Sequence, residues 1–251
     1  MSRSTPVAPS ELEVYPTRES LPQNPPAGTY VVVDVMYFST TVVELLAGGA
    51  SCVHVPLAGS DPTAFKRVNP EAHVGGEGTG DGRPLARYDF FNSPSDTRRL
   101  DLAGRPVSMT SDNGGRTVAD LRTADGCTVL VGSTTNAAAV GSALRRADGP
   151  LALVCAGSGG AHAPEDHLGA RLIAHHATGH GVDSATREAF RDRLTELRGP
   201  LDSLPRVRQR DILEYVAAID SRSIVPELDG DRLVDTSDRF ERVCHSPAIP
   251  S

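Results

Sequence analysis

A chain of 251 residues can bury a large core without disulfide or metal staples, which excludes a stapled miniprotein. Thirty-two acidic against 25 basic residues leave a net charge of −7, a balance that disfavours nucleic acid as a general partner but leaves small anionic metabolites open. The four cysteines, at 52, 127, 155 and 244, are too far apart for a CxxC ribbon or disulfide scaffold, and no run approaches the roughly 20 apolar residues of a membrane span, so reduced thiols and a cytoplasmic location are expected.

Residues 1–28 carry prolines at 6, 9, 16, 22, 25 and 26, which argues against regular helix or central strand and leaves Leu12, Val14 and Tyr15 as a short edge piece. From Tyr30, YVVVDV reads as a buried strand, and STTVVELLAGGA as a hydroxyl-capped helix ending at glycine. SCVHVPL follows as a second strand and DPTAFKRV as a short helix with proline near its start. HVGGEGTGDGRPL places five glycines around Glu77 and Asp81, the composition of a flexible polar loop whose amides can approach a ligand. YDFFNSPSDTRRL then sets aromatics beside an Asn-Ser-Pro turn and a helix start.

PVSMTSDNGGRTVADLR and CTVLVGSTTNAAAVGSALRRA each repeat a strand, a polar turn and a helix. LALVCAGSGGAHAPEDHLGARLIAHHA does so again, its helix expected to begin near Pro164 or Glu165. Two further helices, SATREAFRDRLTELRG and VRQRDILEYVAAIDS, follow. The second carries an apolar face of Ile212, Tyr215, Val216 and Ile219 and is expected to close the core. IVPELDGDRLVD reads as a turn-rich terminal segment, and little order is expected beyond Val243. The alternation predicts an α/β fold of layered, mostly parallel sheets with its polar motifs at strand C-terminal ends. The STT runs after VVVDV and after VLVG mark either two related, intertwined halves or recurrent helix caps. The expected organisation is a Pro-rich segment at 1–28, a single α/β domain at 29–245 and a tail at 246–251.

Asp34 interrupts a run of valines at a strand end, where a buried acid needs a metal, a reactive phosphate or hydrogen-bonding amides to offset its desolvation. Glu77 and Asp81 could coordinate Mg²⁺ or belong to solvated turns, Asp81 resembling a simple Asp-Gly turn. Asn92 and Ser93 can orient a substrate oxygen or cap the next helix. The turn Ser111–Gly115 offers several donors, and Arg116 adds a planar fork for phosphate or carboxylate unless it serves a salt bridge. Thr134, Thr135 and Asn136 can hold an anion at a helix N-terminus or cap that helix. Glu165 and Asp166 suit Mg²⁺, whereas His162 and His167 read as packing or capping groups and the adjacent His175 and His176 cannot form HExxH. Cys155 reads as a small buried residue, nucleophilic only if a base lowers its pKa. With neither a P-loop nor a nucleophile elbow, nucleotide hydrolysis and ordinary α/β-hydrolase chemistry rank low.

In their order, VVVDVMYFSTTVVELLAGGA, GGE at Glu77, FNSPSD from Phe91, SDNGGRTVADL from Ser111, VGSTTNAAAV from Val131 and CAGSGGAHAPED from Cys155 resemble the 2-phosphosulfolactate phosphatase family, most clearly from Tyr30 to His176. The resemblance implies a Mg²⁺-dependent phosphatase that hydrolyses a small phosphorylated organic acid, such as 2-phosphosulfolactate, to alcohol and phosphate. It implies Asp34, Glu77 and Asp166 as metal ligands, Asp34, Asn113 and Arg116 as catalytic residues, and Asn92, Ser93, Gly114, Ser133 and Asn136 as the substrate pocket. Its partner would be a small anionic phosphate ester, with no nucleic acid or membrane, and a homo-oligomer is a further expectation. Two positions depart from the family pattern. Tyr37 stands where a DVxRAT-like run has arginine, and Phe91 where glycine is common, leaving Arg116 or another arginine to compensate. The alternative is a catalytically degenerate protein that binds a phosphate metabolite. A third reading is an oligomeric scaffold whose polar turns only cap helices.

Overall fold

The strands, in chain order, are β1 (Leu12–Tyr15), β2 (Gly28–Val33), β3 (Cys52–His54), β4 (His73–Gly76), β5 (Phe90–Phe91), β6 (Pro106–Met109), β7 (Cys127–Gly132), β8 (Leu151–Cys155), β9 (Pro226–Asp229) and β10 (Arg232–Asp235). The principal helices are α1 (Phe38–Ala47), α2 (Thr63–Val68), α3 (Pro94–Thr97), α4 (Gly114–Arg122), α5 (Ala137–Leu144), α6 (Pro164–Ala177), α7 (Ser184–Glu196), α8 (Arg206–Arg210) and α9 (Ser237–Glu241). This computed structural model describes residues 7–8, 11–57, 59–61, 63–79, 81–197 and 200–241, so the tail expected at 246–251 lies outside the described residues.

All ten strands belong to one sheet, in the order β1-β8-β2-β7-β9-β10-β3-β6-β4-β5, rather than to several layered sheets. β1, β8, β2 and β7 form one parallel block and β3, β6, β4 and β5 another, so the sheet is mixed and mostly parallel. Between them, β9 and β10 form a hairpin antiparallel to both neighbours. This hairpin is IVPELDGDRLVD, expected to be a terminal segment and found instead at the centre of the sheet. Gly230, at φ 61°, opens its two-residue connection, and Leu233 is buried in the core. The order alone establishes no kinship between the two blocks.

The continuous apolar run of β2 follows from burial on both faces, as in a parallel sheet covered by helices. Val31 and Val33 join the core under α5, α6 and α7, while Tyr30 and Val32 join the core under α1 and α4. Fully burying each such valine contributes roughly 1.5–3 kcal/mol before chain entropy. β1 lies at the sheet edge beside β8, where the proline-limited segment was expected to place it.

Three antiparallel pairings separate β7 from β3, so the two parallel blocks run in opposite directions. Contacts nevertheless join their C-terminal ends. Asp34, after β2, accepts a hydrogen bond from Gly114, after β6, and Asn113 accepts one from Gly159, after β8. The blocks therefore face each other C-terminal end to C-terminal end, and the polar turns of both open into one cleft. Among the described residues no helix is long and apolar enough to cross a membrane.

Candidate functional site

The Ser-Thr-Thr run after β2 wraps the strand end rather than only capping α1. Asp34 N donates to Ser39 Oγ at 2.9 Å and Ser39 N donates to Asp34 O at 2.8 Å. Thr40 Oγ1 donates to Val35 O at 2.8 Å and meets Ser133 Oγ at 2.6 Å. So held, the buried Asp34 carboxylate accepts from Gly114 N at 2.8 Å through Oδ2 and from Phe38 N at 3.4 Å through Oδ1. Burial pushes its pKa up to about 7; the Gly114 and Phe38 amides pull it down, while Glu77 and Glu165 push it further up.

Asp166, in the first turn of α6, is equally buried. Its Oδ1 accepts from Val35 N at 2.8 Å and its Oδ2 from Gly157 N at 3.0 Å, tying the ends of β2 and β8 together. Burial, then the charge of Asp34, raises its pKa well above the usual carboxylate range. Glu77, directly after β4, is half-buried and accepts from Asp112 N at 3.2 Å. Burial raises its pKa too; the Asp112 amide draws it back while the Asp112 charge opposes this, and the Arg208 guanidinium lowers it further. HVGG was expected within a loop; it is instead strand β4, and this is what places Glu77 at a strand end.

These acids face conflicting demands. An oxygen pair that accepts N–H donors at both atoms is suited to an ionised carboxylate, whereas burial among like charges favours the proton. A divalent cation reconciles the two, so the donor set fits a hard, oxygen-bound ion such as Mg²⁺. Among the described residues no three or more His, Cys, Asp or Glu side chains are grouped to hold a metal ion by themselves. Mg²⁺ ordinarily keeps several waters and takes only one or two carboxylates, with substrate oxygens filling the rest.

The other expected residues divide into those at the cleft and those built into its walls. Arg116 is exposed, makes no ion pair among the described residues, and lines a cavity of about 470 Å³ with Glu77, Thr110, Ser111 and Asp112. Asn113 is half-buried and bridges the cleft through its 3.2 Å bond from Gly159 N. Asn92 is buried, and its Oδ1 has no hydrogen-bond partner among the described residues. Ser93, in contrast, accepts from Asp96 N at the start of α3 and donates to Asp211 at 2.7 Å. Ser133 and Asn136 are wholly buried. Asn136 Oδ1 accepts from Ser133 N, and its Nδ2 donates to Val131 O and Ile224 O. Asp81 is engaged locally with Thr79 and Arg83, as an Asp-Gly turn would have it.

Sequence reasoning missed Arg208 and Asp211, which lie on a helix expected only to close the core. Ile212, Tyr215 and Val216 do bury their apolar face, within a π-helical stretch at Asp211–Val216. Arg208, at the other end of this element, has its Cζ 4.0 Å from the centre of the Tyr37 ring and 4.9 Å from that of Phe91. Those are the two positions at which the sequence is expected to depart from the pattern of the family it resembles. Gly82, at φ 77°, lets the glycine-rich loop reach this helix; a β-carbon there would lie 2.8 Å from Val207. The available signal was an Arg and an Asp three residues apart beside an apolar stripe.

The opposed strand ends of this mixed, mostly parallel α/β sheet bring buried carboxylates and backbone amides together, which defines an α/β protein with a polar site at its strand ends. Comparison with known proteins narrows this class. The family model described as 2-phosphosulpholactate phosphatase matches residues 15–231, and the chain belongs to that family. It is 31% identical over 210 residues to a Thermoplasma acidophilum protein named "Probable 2-phosphosulfolactate phosphatase", covering 83% of this chain and 89% of that one. Proteins of the same name from Symbiobacterium thermophilum and Deinococcus radiodurans are each 30% identical, over 78% and 79% of this chain and 89% and 86% of theirs.

Proposed function

We propose that this protein hydrolyses the phosphate monoester of a small organic acid, 2-phosphosulfolactate being the leading candidate, to alcohol and inorganic phosphate with Mg²⁺. The observation that carries the reading is the buried Asp34 carboxylate, held by the Gly114 amide from the opposite block and surrounded by further acids. Asp34 and Glu77 would hold the metal. Asp166, with both oxygens engaged by amides, fixes the strand end that carries Asp34. Bound Mg²⁺ supplies electrophilic activation of phosphorus and neutralises phosphate oxygens.

The chain's own residues do the rest. Arg116 and the amides of the Ser111–Gly114 turn bind phosphate oxygens and stabilise the charge that grows on them. Asn113 and Asn92 orient the ester, and Ser133, Asn136 and Ser93 keep the walls in register. Water attacks phosphorus and the ester oxygen leaves. The proton released by the water ends on the departing alcohol, so that the step yields alcohol and inorganic phosphate.

The test is phosphate release from a panel of small anionic phosphomonoesters, with and without Mg²⁺. Turnover that requires the metal and is lost in a folded Asp34→Ala variant supports the reading. A folded protein, supplied with metals, that turns over nothing on a broad panel overturns it, and tight ester binding without hydrolysis would then point to the degenerate binding protein.

A further inference from the structure

Arg208 is fixed on three sides. Its guanidinium lies between the Tyr37 and Phe91 rings, and its Nη1 donates to Asn92 O at 2.8 Å and to Asp211 Oδ2 at 3.1 Å. Asp211 is itself wholly buried and held by Ser93 Oγ at 2.7 Å and Ser95 N at 3.0 Å, so the anchor cannot swing away. Among the described residues Nε and Nη2 have no hydrogen-bond partner. Together they form the guanidinium edge whose two parallel N–H groups match the oxygens of a planar or tetrahedral anion. The charge is felt at Glu77, and the buried Oδ1 without a hydrogen-bond partner among the described residues belongs to Asn92, the residue whose carbonyl Arg208 binds.

We infer that Arg208 is a specificity-determining residue that receives, through its Nε–Nη2 edge, the acid group the substrate carries besides its phosphate. This rests on the small-anion reading above; what it adds is the side chain that reads the second anion, carboxylate or sulfonate. The two cationic groups have separate duties. Arg116 makes no ion pair among the described residues, lines the Glu77 cavity and serves the phosphate. Arg208, held by its pair with Asp211, contributes a fixed orientation, and orientation is what recognition of a fixed second anion needs.

Isothermal calorimetry with two non-hydrolysable probes tests this: phosphonoacetate, which has a phosphonate and a carboxylate, and methylphosphonate, which lacks the second acid. The native protein should bind phosphonoacetate about 10- to 100-fold more tightly, the range expected of charge-assisted hydrogen bonds. In Arg208→Lys, which keeps the charge and loses the fork, that ratio should fall to about threefold or less. The ratio of kcat/KM for phosphoglycolate over ethyl phosphate should collapse in parallel. A ratio retained in the variant, whether both affinities fall together or neither does, overturns the inference. Should Arg208→Lys not fold, Tyr37→Leu, which removes one wall of the seat, is read by the same ratio. A probe preference that vanishes in the variant while the native protein hydrolyses nothing upholds this inference and overturns the hydrolytic reading instead.

Discussion

The amide nitrogen of Gly114 lies 2.8 Å from Oδ2 of Asp34, and a β-carbon at position 114 would lie 2.7 Å from that oxygen and 2.5 Å from Cδ1 of Phe38. This contact joins the C-terminal ends of the two oppositely running blocks, so the site and the assembly of the sheet depend on the same missing side chain. Gly114→Ala is a sharp test because alanine is the better helix former, by about 1 kcal/mol in a helix interior and less at the first residue of α4. Propensity predicts stabilisation; crowding predicts a loss of about 1–3 kcal/mol. We expect the loss, seen as a lower midpoint of thermal or urea unfolding, accompanied by a fall in phosphate release.

Ligand linkage gives a prediction independent of turnover. If Asp34 and Glu77 hold Mg²⁺, the cation stabilises the folded state by about 2.7 kcal/mol at a hundredfold excess over its dissociation constant. The melting temperature should therefore rise with Mg²⁺ concentration in the native protein. In Asp34→Asn the rise should be small, and catalysis should fall by about a hundredfold or more, the scale for losing one charge-positioning group. The same rise in the variant as in the native protein would remove Asp34 from the metal site.

How much of this was legible in the sequence depends on the range of the interaction. The strand-turn-helix units could be read locally, and with them the placing of Asp34, Asn113 and Asn136 at strand ends. What could not be read is which polar atoms are turned inward. Asn136 looks like an anion-binding cap, yet its amide is engaged by Ser133, Val131 and Ile224, and the last partner is 88 residues away. Arg208 is the converse case. Within its own helix only the Asp three residues on hints at a site; its partners Tyr37, Phe91 and Asn92 come from distant strand ends. The central hairpin was missed because DGDR reads as a turn in any context, and only its neighbours β7 and β3 make it internal.

The Asp211 anchor predicts a stability cost at a residue far in sequence from the acid cluster. Its side chain is wholly buried and pairs with Arg208, Ser93 and the Ser95 amide. Asp211→Ala leaves those donors unmatched, and breaking a buried pair costs roughly 3–5 kcal/mol. Because the Arg208 side chain keeps 23% of its surface in water, the expected loss is at the low end, about 3 kcal/mol. Equilibrium urea unfolding measures it directly. A loss below about 0.5 kcal/mol, the scale of an ordinary surface substitution, would mean that Asp211 is not the anchor described.

A thiol experiment separates the acid-cluster chemistry from a cysteine mechanism. Cys155 ends β8 close to Asp166, where a nucleophile could in principle sit. Burial pushes its thiol up to about 12, and the negative charge of Asp166 adds to the effect. At pH 8 only about one molecule in ten thousand would carry the thiolate, the form that reacts. In the folded protein Cys155 should therefore resist a disulfide reagent such as dithionitrobenzoate, becoming reactive only on addition of denaturant. Cys155→Ser should retain phosphatase turnover, because the smaller hydroxyl still fits the buried strand end and no step requires sulfur. Rapid labelling of Cys155 in the folded state, with parallel loss of activity, would shift the chemistry from the carboxylates to the thiol.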